Sequence, residues 1–357
     1  MNKLLITGAA GFIGSNFVRY WFQKYPKDNI IALDALTYAG NKSNLKAHIG
    51  KSNFKFIQGS ICDQNLLDKL FAKFNVDCLV HFAAESHVDR SIDNPDAFIT
   101  TNVVGTHQLL ESAKKHWLDK GIDDYLFHHV STDEVYGSLK PTDPAFTETS
   151  SYAPNSPYAA SKAASDHLVR AYHRTYGLKV TTSNCSNNYG PFQFPEKLIP
   201  LCLLNILNGK PLPIYGKGTQ VRDWLHVDDH CRGIELILKS GKIGETYNIG
   251  GNNEWTNIEV VQFMCEAIQD KFRDCSDLSK KFPQSPCARN QDPKQLITHV
   301  EDRLGHDTRY AINADKVTKE LNYNPTLTFE KGLKQTIDWY LENEDWWRAV
   351  LDGSYII

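Results

Sequence analysis

The 357-residue sequence has no C-x-x-C pair, no sustained basic run and no apolar run approaching the roughly 18 residues a membrane-spanning helix needs. Each absence removes a class of function. The eight cysteines, at positions 62, 78, 185, 202, 231, 265, 275 and 287, form no regular framework, so they read as free thiols of a reducing compartment, with cytoplasm the default. A formal charge of -3 without clustered Lys and Arg argues against nonspecific nucleic-acid binding. The apolar start Leu4-Leu5-Ile6 ends in Thr7-Gly8, too short for a signal peptide. The longest apolar stretch, Leu198 to Leu207, is broken by Pro200 and Asn205, so no membrane anchor is expected. His81, His87, His128 and His129 show no metal-ligand spacing, and no metal is expected. Repeats and low-complexity tracts are missing too. What remains is a chain of ordinary globular composition, long enough for two lobes and suited to a small-molecule substrate.

The first half alternates short apolar strands with helices. Strands are expected at Lys3–Ile6, Asn29–Leu33, Lys55–Gln58, Cys78–Phe82 and Asp124–Val130, with helices at Ile13–Tyr25, Leu66–Phe74 and Thr101–Lys115. Such alternation predicts an α/β fold with a doubly wound parallel (Rossmann) sheet. Ser156 and Pro157 mark the cap and first position of a further long helix that stops at Gly177. Beyond Asn188 the texture becomes rich in Pro, Gly and aromatics, as binding loops are, and the polar stretch 270–295 reads as a surface excursion.

Gly8, Gly11 and Gly14 follow the first strand and open a helix, a context in which backbone N–H groups can approach a pyrophosphate and the helix N-terminus stabilises its charge. Asp34, at the end of the second strand, can accept from ribose hydroxyls and repel a 2′-phosphate, which favours NAD over NADP.

The chemistry is carried by Ser131-Thr132-Asp133-Glu134-Val135 ahead of Tyr158-Ala-Ala-Ser-Lys162. A Tyr and a Lys four apart share one helix face, a pairing suited to hydride transfer at a sugar hydroxyl. An ordinary phenol, with a pKa near 10, is a poor base at neutral pH, so Lys162 and a cationic nicotinamide are expected to lower that of Tyr158. Two adjacent carboxylates add acid and base chemistry that a simple dehydrogenase does not need. Together they suggest oxidation, loss of water and re-reduction in one site. Asp133 and Glu134 then need environments that push their pKa values apart.

The spacing G-x-x-G-x-x-G with Tyr-x-x-x-Lys resembles the extended short-chain dehydrogenase/reductase superfamily. Asp34–Gly40, His81–Ser91, Ser131–Gly137, Asn184–Pro191, Phe194–Pro200 and Pro211–Gly216 narrow the resemblance to dTDP-glucose 4,6-dehydratases, nearly end to end. That resemblance implies a Rossmann NAD-binding domain at 1–190 and a smaller α/β lobe for the nucleotide sugar at 191–357. Late elements, about 226–250 and 308–325, would return to the first domain. It implies a cofactor site of Gly8, Gly11, Phe12, Ile13, Gly14, Asp34, Thr37, Ser60, Ile61, Ala83, Ala84, Thr101, Tyr158 and Lys162, with Asn188 at the nicotinamide end. Ser60 stands where the family often has Asp. The implied catalytic set is Thr132, Asp133, Glu134, Tyr158 and Lys162. Tyr158 would take the C4 hydroxyl proton as hydride leaves C4 for the nicotinamide, Glu134 the C5 proton, Asp133 would donate to the departing C6 hydroxyl, and hydride would return to C6. Ser86, Thr132 and Asn187 would meet the hexose or its phosphates. Lys197, Leu198, Pro213, Tyr215, Arg222, Asn257, Arg303 and His306 would meet the nucleoside diphosphate, and Leu304 replaces a usual Pro in that last loop.

The implied substrate is dTDP-glucose. Dehydration of another nucleotide sugar such as UDP-glucose or GDP-mannose, and a nucleotide-sugar 4-epimerase, are the enzymatic rivals. A catalytically silent dinucleotide-binding regulator is the rival of another class. Apolar stripes on the helices Thr101–Lys115 and Pro157–Tyr176 coincide with the pair that forms the homodimer interface of the resembling family.

Overall fold

A computed structural model describes residues 2–356. The chain runs β1 (Lys3–Thr7), α1 (Phe12–Lys24), β2 (Asn29–Asp34), β3 (Phe54–Gln58), α2 (Gln64–Phe74), β4 (Cys78–His81), α3 (Val88–Asp93), α4 (Pro95–Phe98), α5 (Thr106–Ala113), β5 (Leu126–Thr132), α6 (Pro157–Tyr176) and β6 (Val180–Cys185). It continues with β7 (Asn187–Tyr189), α7 (Leu198–Leu207), β8 (Leu212–Tyr215), β9 (Val221–His226), α8 (Val227–Ser240), β10 (Thr246–Ile249), β11 (Glu254–Thr256) and α9 (Asn257–Asp274). It closes with α10 (Asp277–Lys281), β12 (Ile297–Val300), α11 (Asp315–Leu321), α12 (Phe329–Glu342) and α13 (Glu344–Asp352).

Seven parallel strands form the main sheet in the order β10-β6-β5-β4-β1-β2-β3, the doubly wound α/β arrangement. Both faces are covered, so the centre of β1, Leu4-Leu5-Ile6, is apolar and its side chains divide by alternation. Leu4 and Ile6 pack with Phe17 and Trp21 of α1 and Ile234 and Ile237 of α8. Leu5 faces the other way, toward Leu67 of α2, Leu109 of α5 and Val169 of α6. Residues after 226 also build this layer: β10 pairs with β6, and Val317 and Leu321 of α11 join the same core as α8. A second core gathers α7, α9, α12 and α13 around β8, with Trp224 of β9.

Most element ends shift by a residue or two from the sequence reading, and three differences bear on the site and the cores. β5 runs to Thr132, two residues further than its apolar pattern, because the polar Ser131 and Thr132 pair with Asn184 and Cys185 of β6. The helix expected at Thr101–Lys115 is one part of a longer run: α4 and α5 are joined by π-helical turns at Ile99–Gly105, and another at Lys114–Leu118 follows α5. The 270–295 stretch is not a free surface excursion. Phe282, Ser285, Pro286 and Cys287 are buried, and Phe282 and Cys287 belong to the second core, so a few apolar anchors hold an otherwise polar segment down.

Candidate active site

The reactive segments lie at strand ends, where parallel sheets place their clefts. Thr132 closes β5, and its hydroxyl accepts from Glu134 N at 3.3 Å, capping the 3₁₀ turn Asp133–Tyr136. Across from it, Ser156 Oγ accepts from Ala159 N at 3.1 Å, Pro157 opens α6, and the helix stops at Gly177 with φ of 79°. Tyr158 and Lys162 therefore sit in the first two turns of a firmly started helix.

The glycine turn is equally constrained. Gly8 has φ of 65°, and a Cβ there would lie 2.7 Å from Ala83 N, so only glycine permits β1 to turn this close to the end of β4. Gly14 lets α1 cross the turn, since a Cβ would lie 2.2 Å from Gly8 O. Asp34 ties the turn to β2: its carboxylate accepts from Ala10 N and Leu36 N, both at 2.8 Å.

These elements enclose a cavity of about 360 Å³, within the range of small-molecule sites. Every residue assigned to the cofactor lines it, from Gly8 to Asn188, as do Thr132, Asp133 and Glu134. Ser60 engages its own turn, its hydroxyl accepting from Cys62 N at 3.1 Å. Asn188 donates to Ser186 O at 2.9 Å and is hydrogen-bonded to His230 at 2.9 Å, which fixes its amide.

The two acids differ in surroundings. Burial pushes Asp133 well above the ordinary carboxylate range, and the nearby Glu134 and Asp223 push it further. Its Oδ1 accepts from Thr132 Oγ1 at 3.3 Å, and its Oδ2 has no partner among the described residues. Burial also raises Glu134, but Arg222, Arg303 and Lys197 oppose that rise. The arrangement favours a protonated Asp133 beside an ionised Glu134. Tyr158 departs from the expected direction. Burial first, then Glu134, push its phenol well above 10, and hydrogen bonding with Thr132 draws it back. Lys162 Nζ donates to the Val130 carbonyl at 2.9 Å.

Ser86, Thr132 and Asn187, assigned to the hexose or its phosphates, line the cavity, and so does Lys197, assigned to the nucleoside diphosphate. Lys197 Nζ donates to Ser86 O at 3.1 Å. Arg222, Arg303, Tyr215 and His306 gather beside it: Arg303 lies 3.6 Å from Asp89, and Tyr215 donates to Asp89 at 3.2 Å. The Tyr215 and His306 rings are 6.0 Å apart. Arg222 is buried, held by the Val221 and Asp307 carbonyls at 2.8 and 3.0 Å. Leu304 is 77% exposed, yet its loop needs no proline to hold shape. Asp302 accepts from Arg303 N at 2.8 Å and is bonded to His306 at 2.6 Å. Leu198, Pro213 and Asn257 stand at the start of α7, within β8 and at the start of α9, outside the cavity lining.

A bridge to Glu196, which lines the cavity, was missed. Tyr38 donates to Glu196 at 2.9 Å, the Arg90 guanidinium lies 3.6 Å over the Tyr38 ring, and both His87 and Arg90 approach Glu196 at 3.7 Å. Tyr355, near the chain end, donates to the Tyr38 carbonyl and packs on Phe194. Tyr38, Arg90 and Glu196 all lie inside the motifs that carried the family resemblance, so the signal was present. Their spacing gave no sign that they meet.

A glycine-turned cleft with a Tyr-Lys helix and an acid pair at the end of β5 defines a class, and the comparisons agree. The family model for GDP-mannose 4,6 dehydratase matches residues 5–336. The dTDP-glucose 4,6-dehydratase of Neisseria meningitidis serogroup B is 51% identical, covering 99% of this chain and 98% of that protein. The one from Xanthomonas campestris pv. campestris is 54% identical, covering 99% and 97%. The crystal structure of the Streptomyces venezuelae dTDP-glucose 4,6-dehydratase, with NAD and TYD bound, superposes with a TM-score of 0.86 at 46% identity, covering 98% of this chain and 99% of that one. The chain belongs to the dTDP-glucose 4,6-dehydratase family.

Proposed function

We propose that this chain is a hydro-lyase that converts dTDP-glucose to dTDP-4-keto-6-deoxyglucose, with NAD as its cofactor. The observation that carries the reading is the pair Asp133 and Glu134, driven apart in acidity inside the same cavity as Tyr158 and Lys162. An epimerase has no use for such a pair. The cavity fits the cofactor: Gly8, Gly11 and Gly14 line it without side chains, as a pyrophosphate approaching backbone N–H groups requires, and the Asp34 carboxylate at the end of β2 lines it where it would meet the ribose. When bound, NAD supplies a hydride acceptor that gives the hydride back within the same turnover.

Tyr158 takes the proton of the C4 hydroxyl, with Thr132 bonded to the same oxygen. The resulting C4 ketone acidifies the C5 hydrogen, which Glu134 removes as general base. Asp133, kept protonated by burial, donates to the C6 hydroxyl so that it leaves as water. Glu134 then returns its proton to C5 as C6 is reduced. Burial of Thr132, Asp133, Tyr158 and Lys162 keeps bulk water from these steps. Lys197, Arg222 and Arg303 offer the positive charge that a nucleoside diphosphate requires.

The first lobe, 1–190 with the returning elements, would hold NAD, and the second lobe the nucleotide. A homodimer is supported by the exposed apolar side chains Ile99, Val104 and Tyr176 on the paired helical runs. No helix among the described residues is long and apolar enough to cross a membrane, and all eight cysteines are free, which supports a reducing compartment, the cytoplasm.

The test is dTDP-glucose deuterated at C4. Product lighter by one water, with deuterium in the C6 methyl group, supports the reading. A product of unchanged mass epimerised at C4, or label lost to solvent, would sink it.

A further inference from the structure

Behind Lys162 lies a layer of buried polar side chains to which the reaction assigns no role. Asp166 follows Lys162 by one helical turn on the same face of α6, and both are buried. The Asp166 carboxylate is bonded to three groups: His129 Nε2 at 3.0 Å, Ser131 Oγ at 2.9 Å and Tyr152 Oη at 3.0 Å. Ser131 immediately precedes Thr132, Asp133 and Glu134, so this bond also fixes the end of β5.

A buried ammonium loses its proton unless a negative charge stands near it. Of the groups around Lys162, burial keeps His81 on β4 and His129 on β5 neutral. The Cys185 thiol on β6 and the phenols of Tyr152 and Tyr158 are pushed upward, so before substrate and cofactor bind they supply no negative charge. His167, also on α6, can add only positive charge. Asp166 opposes the loss of the Lys162 proton more than any other neighbour.

We propose that Asp166 is a positioning residue for the reaction: it supplies the buried negative charge that keeps Lys162 an ammonium beside Tyr158, and through Ser131 it holds the strand end that carries the acids. The proposal rests on the assignment of Tyr158 and Lys162 to C4 oxidation.

This arrangement works against stability. Burial raises the Asp166 carboxyl to about 6, above its ordinary 3.8, so the folded chain binds that proton more tightly than the unfolded chain. Its contribution falls as pH rises from 3.8 through 6 and stays unfavourable at neutral pH. A neutral amide should then cost no stability, since the hydroxyls of Ser131 and Tyr152 can turn to accept.

The experiment compares wild type, Asp166→Asn and Asp166→Glu in single-turnover C4 oxidation of dTDP-glucose across pH, together with thermal unfolding. Asp166→Asn should move the alkaline limb of the rate profile down by about 1–3 pH units, because Lys162 loses its proton earlier. Its melting temperature should not fall at neutral pH, and Asp166→Glu should restore most of the profile. If Asp166→Asn leaves the profile unmoved, or only lowers the melting temperature, Asp166 is a structural tether and the proposal is overturned. A wild type that never oxidises C4 would overturn the assignment beneath it instead.

Discussion

Glu134→Gln separates the half-reactions. The substitution keeps shape and removes only the charge, because the Glu134 carboxylate takes no hydrogen bond from the described residues and is influenced by burial and by Arg222, Arg303 and Lys197. Stability should therefore hold. The amide cannot remove the C5 proton, and loss of a positioned general base typically costs about 10²–10⁴ in rate, or roughly 2.7–5.4 kcal/mol of barrier. C4 oxidation needs Tyr158 and Thr132, not Glu134, so it should proceed. Mixing the variant with dTDP-glucose in a stopped-flow spectrometer should show absorbance of reduced nicotinamide rising and persisting, where wild type shows it only in passing. The wild-type acid limb should lie above 4.5, since burial raises Glu134 and its protonated form is inactive, and the variant should lack that limb. Wild-type turnover by Glu134→Gln, or no absorbance change at all, would refute the division of labour.

Asp133→Asn should slow water loss while oxidation continues. It should also raise the melting temperature at neutral pH, because the folded chain must hold on Asp133 a proton that the unfolded chain releases, a cost the amide does not carry. Asp34→Ala should lower both NAD content after purification and thermal stability, because Ala10 N and Leu36 N lose their acceptor, a penalty of about 1–3 kcal/mol; NAD content measured in the denatured supernatant and a melting curve check both. Tyr38→Phe removes the bond to Glu196 and should speed NAD release, read by exchange against labelled NAD, with C4 oxidation by the loaded enzyme unchanged. Light scattering at micromolar concentration should return twice the 40.5 kDa chain mass, and a monomer would refute the dimer.

The residues assigned to the chemistry are local in sequence. A glycine turn, a carboxylate at the end of β2, an acid pair after an apolar run and a Tyr-Lys pair four residues apart each state their own geometry, because strand and helix periods fix which side chains share a face. Fold class and candidate chemistry are therefore legible in the order of the residues alone. Acidity is not. The same Asp-Glu dipeptide in a solvated loop would titrate normally, and only the packing around it pushes Asp133 well above the carboxylate range while Arg222, Arg303 and Lys197 restrain the rise of Glu134. The Tyr38–Glu196 bond spans 158 residues, a meeting no local pattern encodes. Asp166 is one more polar position on a helix until β5 brings His129 and Ser131 against it. Likewise, 270–295 reads as loop because its composition is polar, and a handful of buried anchors decide otherwise. Local sequence determines which groups a segment carries and which way they face, whereas burial and long-range neighbours depend on the whole folded chain, and those set the charge each group bears.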